Sequence, residues 1–347
     1  TVPAADLALL TDGSASAQAS VSNINGNSAS AVHNYSVDSS APTIIINTVA
    51  SDNIVNASEA DAGVTVSGST TAEAGQIVTV TLNSPTVQTY QATVQADGSW
   101  SINIPAADLE ALTDGSHTLT AMVNDKAGNP ASTTHNLAVD LTVPVLTINT
   151  IAGDDIINAA EHGQALVISG SSTGGEAGDV VTVTLNSKTY TTTLDASGNW
   201  SVGVPAADVT ALGSGPQTVT ATVTDAAGNS DSETHTVTVN LTAPTIGINT
   251  IATDDVINAT EKGADLQISG TSNQPAGTTI TVTLNGQNYT ATTDASGNWS
   301  TTVPASAVGA LGEASYTVTA NVTDSAGNSN SASHNVQVNT ALPGVTI

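Results

Sequence analysis

The residues best equipped for chemistry lie in the run Asp154-Asp155-Ile156-Ile157-Asn158-Ala159-Ala160-Glu161. It returns as Asp254-Asp255-Val256-Ile257-Asn258-Ala259-Thr260-Glu261. A third copy, Asp52-Asn53-Ile54-Val55-Asn56-Ala57-Ser58-Glu59, has an amide in place of the second carboxylate. Carboxylates this close repel one another at neutral pH. The chain holds only three basic side chains, Lys126, Lys188 and Lys262, too few to neutralise them. A divalent cation is the alternative. Donor sets made only of oxygen favour calcium over zinc, and calcium's irregular coordination suits ligands drawn from more than one segment.

The starts at 52, 154 and 254 set a period of about 100 residues, the signature of an array. Other landmarks keep the same period. Trp100, Trp200 and Trp299 each follow a turn such as Ala196-Ser197-Gly198-Asn199; Asp125, Asp225 and Asp324 each begin D-x-A-G-N; His135, His235 and His334 each follow that motif. Residues 1–38 align without a gap on 103–140. The expected organisation is therefore the latter part of a module at 1–40, complete modules at 41–141, 142–241 and 242–340, and the start of a further one at 341–347. With Thr1 in place of a methionine, the chain is expected to be a piece of something longer.

Each module predicts an all-β, seven-stranded immunoglobulin-like sandwich, because short Thr/Val-rich runs alternate with period two between turn signals such as Asn285-Gly286. In the last complete module the strands are expected at 245–249, 266–270, 280–284, 287–293, 299–303, 316–323 and 333–338. One helical turn is expected at 206–212. The tryptophans share a face with valines and are assigned to the core, not to sugar stacking. His135, His235 and His334 are expected to be half-buried structural residues, and Asp108 and Asp208 to be turn caps.

No Gly/Ser tether separates modules: Val237-Thr238-Val239 runs through Asn240-Leu241-Thr242-Ala243-Pro244 into the next strand. Modules are expected to stack end to end as a rod. Sandwich topology then puts the D-D-x-I-N-x-x-E loop at the far end of each module and the D-x-A-G-N loop at the near end. The first junction would gather Asp52, Asn53 and Glu59 with Asp140, Glu176 and Asp225; the second, Asp154, Asp155 and Glu161 with Asn240 and Asp324. Asp38, Glu73 and Asp125 occupy corresponding positions one module earlier, and Asp254, Asp255 and Glu261 one module later. D-x-A-G-N taken alone is equally a plain Asx turn.

Charge narrows the function. A net charge of -27 excludes nucleic acid and anionic membrane surfaces as partners, since both are bound through Lys and Arg. There is no cysteine, hence no disulfide or thiolate chemistry. No apolar run reaches the length of a membrane span, so no membrane insertion is expected, and no secretion signal is visible. Nucleophile elbow, P-loop, H-E-x-x-H and EF-hand patterns are missing, which argues against an enzyme.

The run I-N-x-I-A-x-D-D-x-I-N-A-x-E (148–161 and 248–261), the D-A-S-G-N-W turn, V-P-A-A-D, D-x-A-G-N and the L-T-A-P junction together resemble bacterial immunoglobulin-like repeats. Such repeats occur in giant non-fimbrial adhesins and biofilm-associated proteins secreted by type 1 systems, and the pattern here is nearest to those of Salmonella. The resemblance covers essentially the whole chain. It implies a secreted, cell-surface, monomeric rod in which Ca2+ at module junctions stiffens the array and presents an adhesive tip. The partner would be a host-cell receptor, a glycan among the candidates, engaged by the full-length protein. Pro275 in place of Glu73 and Glu176, and Asn240 and Asn339 in place of Asp38 and Asp140, depart from the ligand pattern. A second reading is that the modules themselves bind host glycans.

Overall fold

The computed structural model describes residues 1–83, 87–341 and 344. β-Branched residues at alternating positions suit a pleated surface with one buried face, and strands dominate accordingly. In the first complete repeat, Ile44–Ile46, Val64–Thr70 and Ser99–Ile104 form a three-stranded sheet in that order. Facing it is a five-stranded sheet in the order Ile54–Asn56, Pro130–Asp140, Gly115–Asn124, Ile77–Asn83, Gln88–Thr93. The same three-plus-five pattern recurs twice, from Val145–Ile148 to Ser230–Val239 and from Ile246–Ile248 to Ser329–Val338.

Every strand expected in the last repeat is present, and an eighth accompanies them. Val256–Ile257, like Ile54–Asn56 and Ile156–Ile157, lies inside the acidic motif and pairs parallel with the final strand of its repeat. A two-residue strand leaves no period-two signal, so the motif reads as a loop. Its inward residue is nonetheless core: Val55, Ile157 and Ile257 are fully buried. The helical turn appears at Ala206–Thr210.

Each repeat has its own apolar cluster. Val78, Val80 and Leu82 point inward between outward Thr79 and Thr81. Trp100, Trp200 and Trp299 are only 2–3% exposed. Each ring lies over the cross-strand glycine it pairs with, Gly68, Gly170 or Gly270. A Cβ at Gly170 would sit 1.9 Å from the Thr147 carbonyl oxygen and 2.7 Å from the Trp200 ring, so only glycine fits.

Packing divides the chain into two compact units. The first holds Thr1–Val145 together with two loops, Thr173–Asp179 and Thr224–Asp231. It opens with the turn Ala4–Leu7 and the hairpin Gly13–Ser22/Ser28–Val37, in which no residue is buried. The second unit holds Leu146–Ser172, Val180–Val223 and Ser232–Ile347. Apart from residues 341 and 344, the expected start of a further module at 341–347 lies outside the described residues.

Candidate functional site

The acidic motif is first a piece of local architecture. Asp52, Asp154 and Asp254 each accept the backbone N–H two residues on, at 2.9, 3.0 and 3.1 Å, closing Asx turns. Asp155 accepts the Ile151 N–H at 2.8 Å and the His235 ring nitrogen at 2.7 Å. Asp255 does the same with Ile251 and His334, at 2.8 and 2.6 Å. Those bonds hold both carboxyls below the usual carboxylate range, the backbone donor contributing most and the histidine next. The histidines are half-buried structural residues, and this loop is what they hold.

Asn53, the departure from the pattern, makes the same two bonds: its Oδ1 accepts Val49 N–H at 2.9 Å and meets His135 Nε2 at 2.7 Å. An amide oxygen only accepts, so Nε2 of His135 carries the proton. All three residues have positive φ, +69°, +61° and +64°, a conformation that Asn and Asp tolerate best among residues with a side chain.

The last residues of the motif begin a helical turn. Asn56 accepts the Glu59 N–H while Glu59 accepts the Asn56 N–H, a reciprocal capping box. Asn158 with Glu161 and Asn258 with Glu261 repeat it. In the first repeat the box opens the helix Ala57–Ala62. Among the described residues, no group of three or more His, Asp or Glu side chains converges closely enough to hold a metal ion. The carboxylates of Asp52 and Glu59 are engaged within their own loop, while the Asn56–Ala57 end of the motif meets the 224–231 loop, where Asn56 Nδ2 donates to the Ala227 carbonyl at 3.1 Å.

Asp140, Glu176 and Asp225 do meet in the first unit. A cavity of about 290 Å³ is lined by Asp114, Asp140, Glu176, Asp179 and Asp225 with no basic residue. Asp140 is pushed above the usual carboxylate range, by burial first and then by Asp225, Asp114 and Glu176. The donor set is hard, anionic and made of oxygen, which fits a calcium-like cation by chemistry. The side chains line a common space without closing on a point, which is why they form a carboxylate-walled cavity and not a finished coordination shell.

Asp114 and Asp179 are members that the repeat of the acidic motif did not reveal. Asp114 accepts Leu141 N–H at 2.7 Å and the Thr142 hydroxyl at 2.5 Å, which fastens the segment after the last strand. Those bonds hold its carboxyl below the usual range. Asp12 plays this part for Ser39 and Ser40, and Glu313 for Thr340. The signal was available: Leu10-Thr11-Asp12-Gly13-Ser14 recurs as Leu112-Thr113-Asp114-Gly115-Ser116. Asp179 accepts the Glu176 N–H at 2.6 Å within one short loop.

The D-x-A-G-N loops are Asx turns. Asp125, Asp225 and Asp324 each accept backbone N–H groups of their own loop through Oδ1 and the asparagine side chain through Oδ2. Lys126 N–H donates to Glu73 at 2.9 Å, and Ser40 N–H to Asp38 at 3.2 Å. Asp108 and Asp208 do not cap turns; they accept the hydroxyls of Tyr90 and Tyr190 at 2.7 and 2.8 Å. The Tyr190 hydroxyl is pushed up to about 12, by desolvation first and then by Asp208.

Residues 40–141, 167–241 and 243–340 match a bacterial Ig-like domain. The chain belongs to the bacterial Ig-like domain family. Solved structures add detail. One, from a Ca2+-stabilized adhesin that helps an Antarctic bacterium reach out and bind ice, is 35% identical over 94% of this chain and 82% of its own, with a TM-score of 0.43. A second, from a 1.5-MDa bacterial ice-binding adhesin studied for host cell surface retention, is 31% identical over 86% and 98%, with a TM-score of 0.44. A single immunoglobulin-like domain of the M. primoryensis ice-binding adhesin is 42% identical over 28% of this chain and 99% of its own, with a TM-score of 0.24. Comparison with curated proteins gives no match.

Proposed function

We propose that the chain is part of the repeat region of a giant secreted bacterial surface adhesin, a structural spacer that carries an adhesive tip to a host cell or other surface. Its repeats are bounded at 41–141, 142–241 and 242–340 and stack as a monomeric rod. Ca2+ stiffens that rod where Asp140, Glu176, Asp179 and Asp225, with Asp114, wall a common cavity. The cation supplies charge neutralisation; the protein supplies oxygens from the end of one repeat and from the 173–179 and 224–231 loops of the next.

One observation carries this reading. Five carboxylate residues share a cavity that contains no basic side chain, and one of them, Asp140, is pushed above the usual carboxylate range by burial and by its acidic neighbours. Such repulsion destabilises the junction unless a cation relieves it. The biological setting comes from the sequence identity to adhesins named above. Nothing in the fold favours glycan binding by the modules themselves, since all three tryptophans are core residues.

Small-angle scattering with calcium and then with a chelator tests the proposal. Chelation is expected to shorten the maximum dimension or increase flexibility; superimposable curves would refute calcium stiffening.

A further inference from the structure

We propose that the asparagine of each D-x-A-G-N loop is a cation-independent pin that holds one repeat to the preceding one through direct hydrogen bonds to its backbone. Within the first unit, Asn229 Nδ2 donates to the Asp140 carbonyl at 3.0 Å, and Asn229 Oδ1 accepts the Ala57 N–H at 2.8 Å. Within the second, Asn328 Nδ2 donates to the Asn240 carbonyl at 3.0 Å, and its Oδ1 accepts the Ala159 N–H at 2.8 Å. Both asparagines are aimed by their own loop, through the bond from Nδ2 to Asp225 or Asp324. They are buried, at 4% and 5% exposure.

The arrangement solves a definite problem. Ala57 is the first residue of its helix, and the opening N–H groups of a helix have no partner inside it. The carbonyls of Asp140 and Asn240 stand where the final strand has ended. A primary amide is the one short side chain that donates and accepts from a single planar group, so it closes both vacancies together. Asn129 is the internal comparison. It donates to the Asp38 carbonyl at 3.2 Å, but residues 1–38 contain no D-D-x-I-N loop to supply the second bond, and Asn129 is only half-buried.

The pin is separable from any cation. Its acceptors are main-chain carbonyls, so the change from Asp140 to Asn240 leaves the geometry intact while removing a carboxylate. Pro275 and Thr278 stand where Glu176 and Asp179 do, so the later junction has lost most of its acidic wall and keeps the same two bonds. The inference therefore goes beyond the calcium reading.

Two variants of the full chain test it. Asn229→Asp keeps the acceptor, loses the Nδ2 donor and sets a carboxylate against Asp225. Ala57→Pro removes the other donor at a helix position where proline is favoured, after an Asn56 that is already extended at ψ 174°. The chain lacks cysteine, so spin labels at Ser101→Cys and Ser201→Cys report the distance distribution across this junction. Amide exchange reports Ala57 and Ala159 directly.

In wild type both amides are expected to be protected, with chelator present as well as with calcium. Asn229→Asp keeps the oxygen that Ala57 meets but loses the bonds that aim it, so exchange at Ala57 should speed by up to about tenfold, the scale of one net hydrogen bond, without affecting Ala159. Both variants should broaden the label distribution while leaving the melting temperature of each repeat in place. Broadening in the variants with no effect of chelator supports the pin and removes the calcium reading. Unchanged exchange at Ala57 in Asn229→Asp together with unchanged distributions in both variants overturns the pin, as does chelation alone broadening wild type as far as the variants do.

Discussion

Replacing Asp155 separates a local clamp from a metal ligand. Asp155→Ala removes two hydrogen bonds, to Ile151 N–H and to His235, and leaves alanine at φ +61°. A bond to a charged group contributes about 1.5–3 kcal/mol and a neutral one about 0.5–1.5 kcal/mol. The Asp155 side chain is 35% exposed, so the low ends apply. Placing a non-glycine, non-Asx residue in the left-handed region adds about 1 kcal/mol. Both bonds go to the ionised carboxylate, so the sum is about 4 kcal/mol. For a domain of this size that lowers the melting temperature by roughly 16–32 °C. Asp155→Asn keeps the one oxygen that accepts both bonds and the tolerated backbone, as Asn53 already does one repeat earlier, so its cost is at most about 1 kcal/mol. Differential scanning calorimetry of the whole chain, following the transition of repeat 142–241, reads both values. Equal destabilisation by Asp155→Asn and Asp155→Ala, together with loss of a calcium response in both, would refute the clamp and restore Asp155 as a ligand.

Gly170→Ala places a Cβ 1.9 Å from the Thr147 carbonyl oxygen and against Trp200. It is expected to abolish the near-ultraviolet tryptophan signal of that repeat at a temperature where the other two stay folded. Asp140→Asn, which removes charge from the carboxylate-walled cavity, is expected to raise stability without calcium and to blunt any calcium-induced gain, measured by calorimetry with chelator and with added ion. Acid acts with two signs. Asp155 and Asp255 have lowered values, so their stabilisation is complete above the ordinary carboxylate pKa and is lost as pH falls below about 4. Asp140 has a raised value, so protonating it relieves repulsion, and that gain comes in first as pH falls. Thermal scans from pH 6 to pH 3 read both effects.

Much of the sandwich was legible because alternation is a direct consequence of one-sided burial. Val78, Val80 and Leu82 against Thr79 and Thr81, and Trp200 before Val202 and Val204, needed only the period of a strand. The parallel strands at 54–56, 156–157 and 256–257 were hidden because two or three residues carry no period. The acidic motif was visible as a repeat, yet its chemistry was not, because carboxylates look alike in sequence whether they meet a cation or a backbone N–H. Its Asn-x-x-Glu end did carry the capping-box spacing, and that signal outweighed the charge count. The place of Asp179 in the cavity and the junction role of Asn229 depend on contacts between segments far apart in the chain, such as Asn229 with Asp140 and Ala57, which no local pattern encodes.

The three repeats then differ in an informative way. The clamp tolerates exchange of Asp for Asn at 53, and the capping box and Asx turns are kept throughout, because each repeat must fold by itself. The acidic wall is not kept: Asp140, Glu176 and Asp179 give way to Asn240, Pro275 and Thr278. The bonds of Asn229 and Asn328 survive that loss unchanged in length. Positions that serve folding and direct contact are thus uniform along the chain, whereas positions that serve charge are graded. On the proposed reading, the asparagine bonds would hold the junctions after residues 140 and 240 alike, and those two junctions would differ in how strongly they respond to a cation.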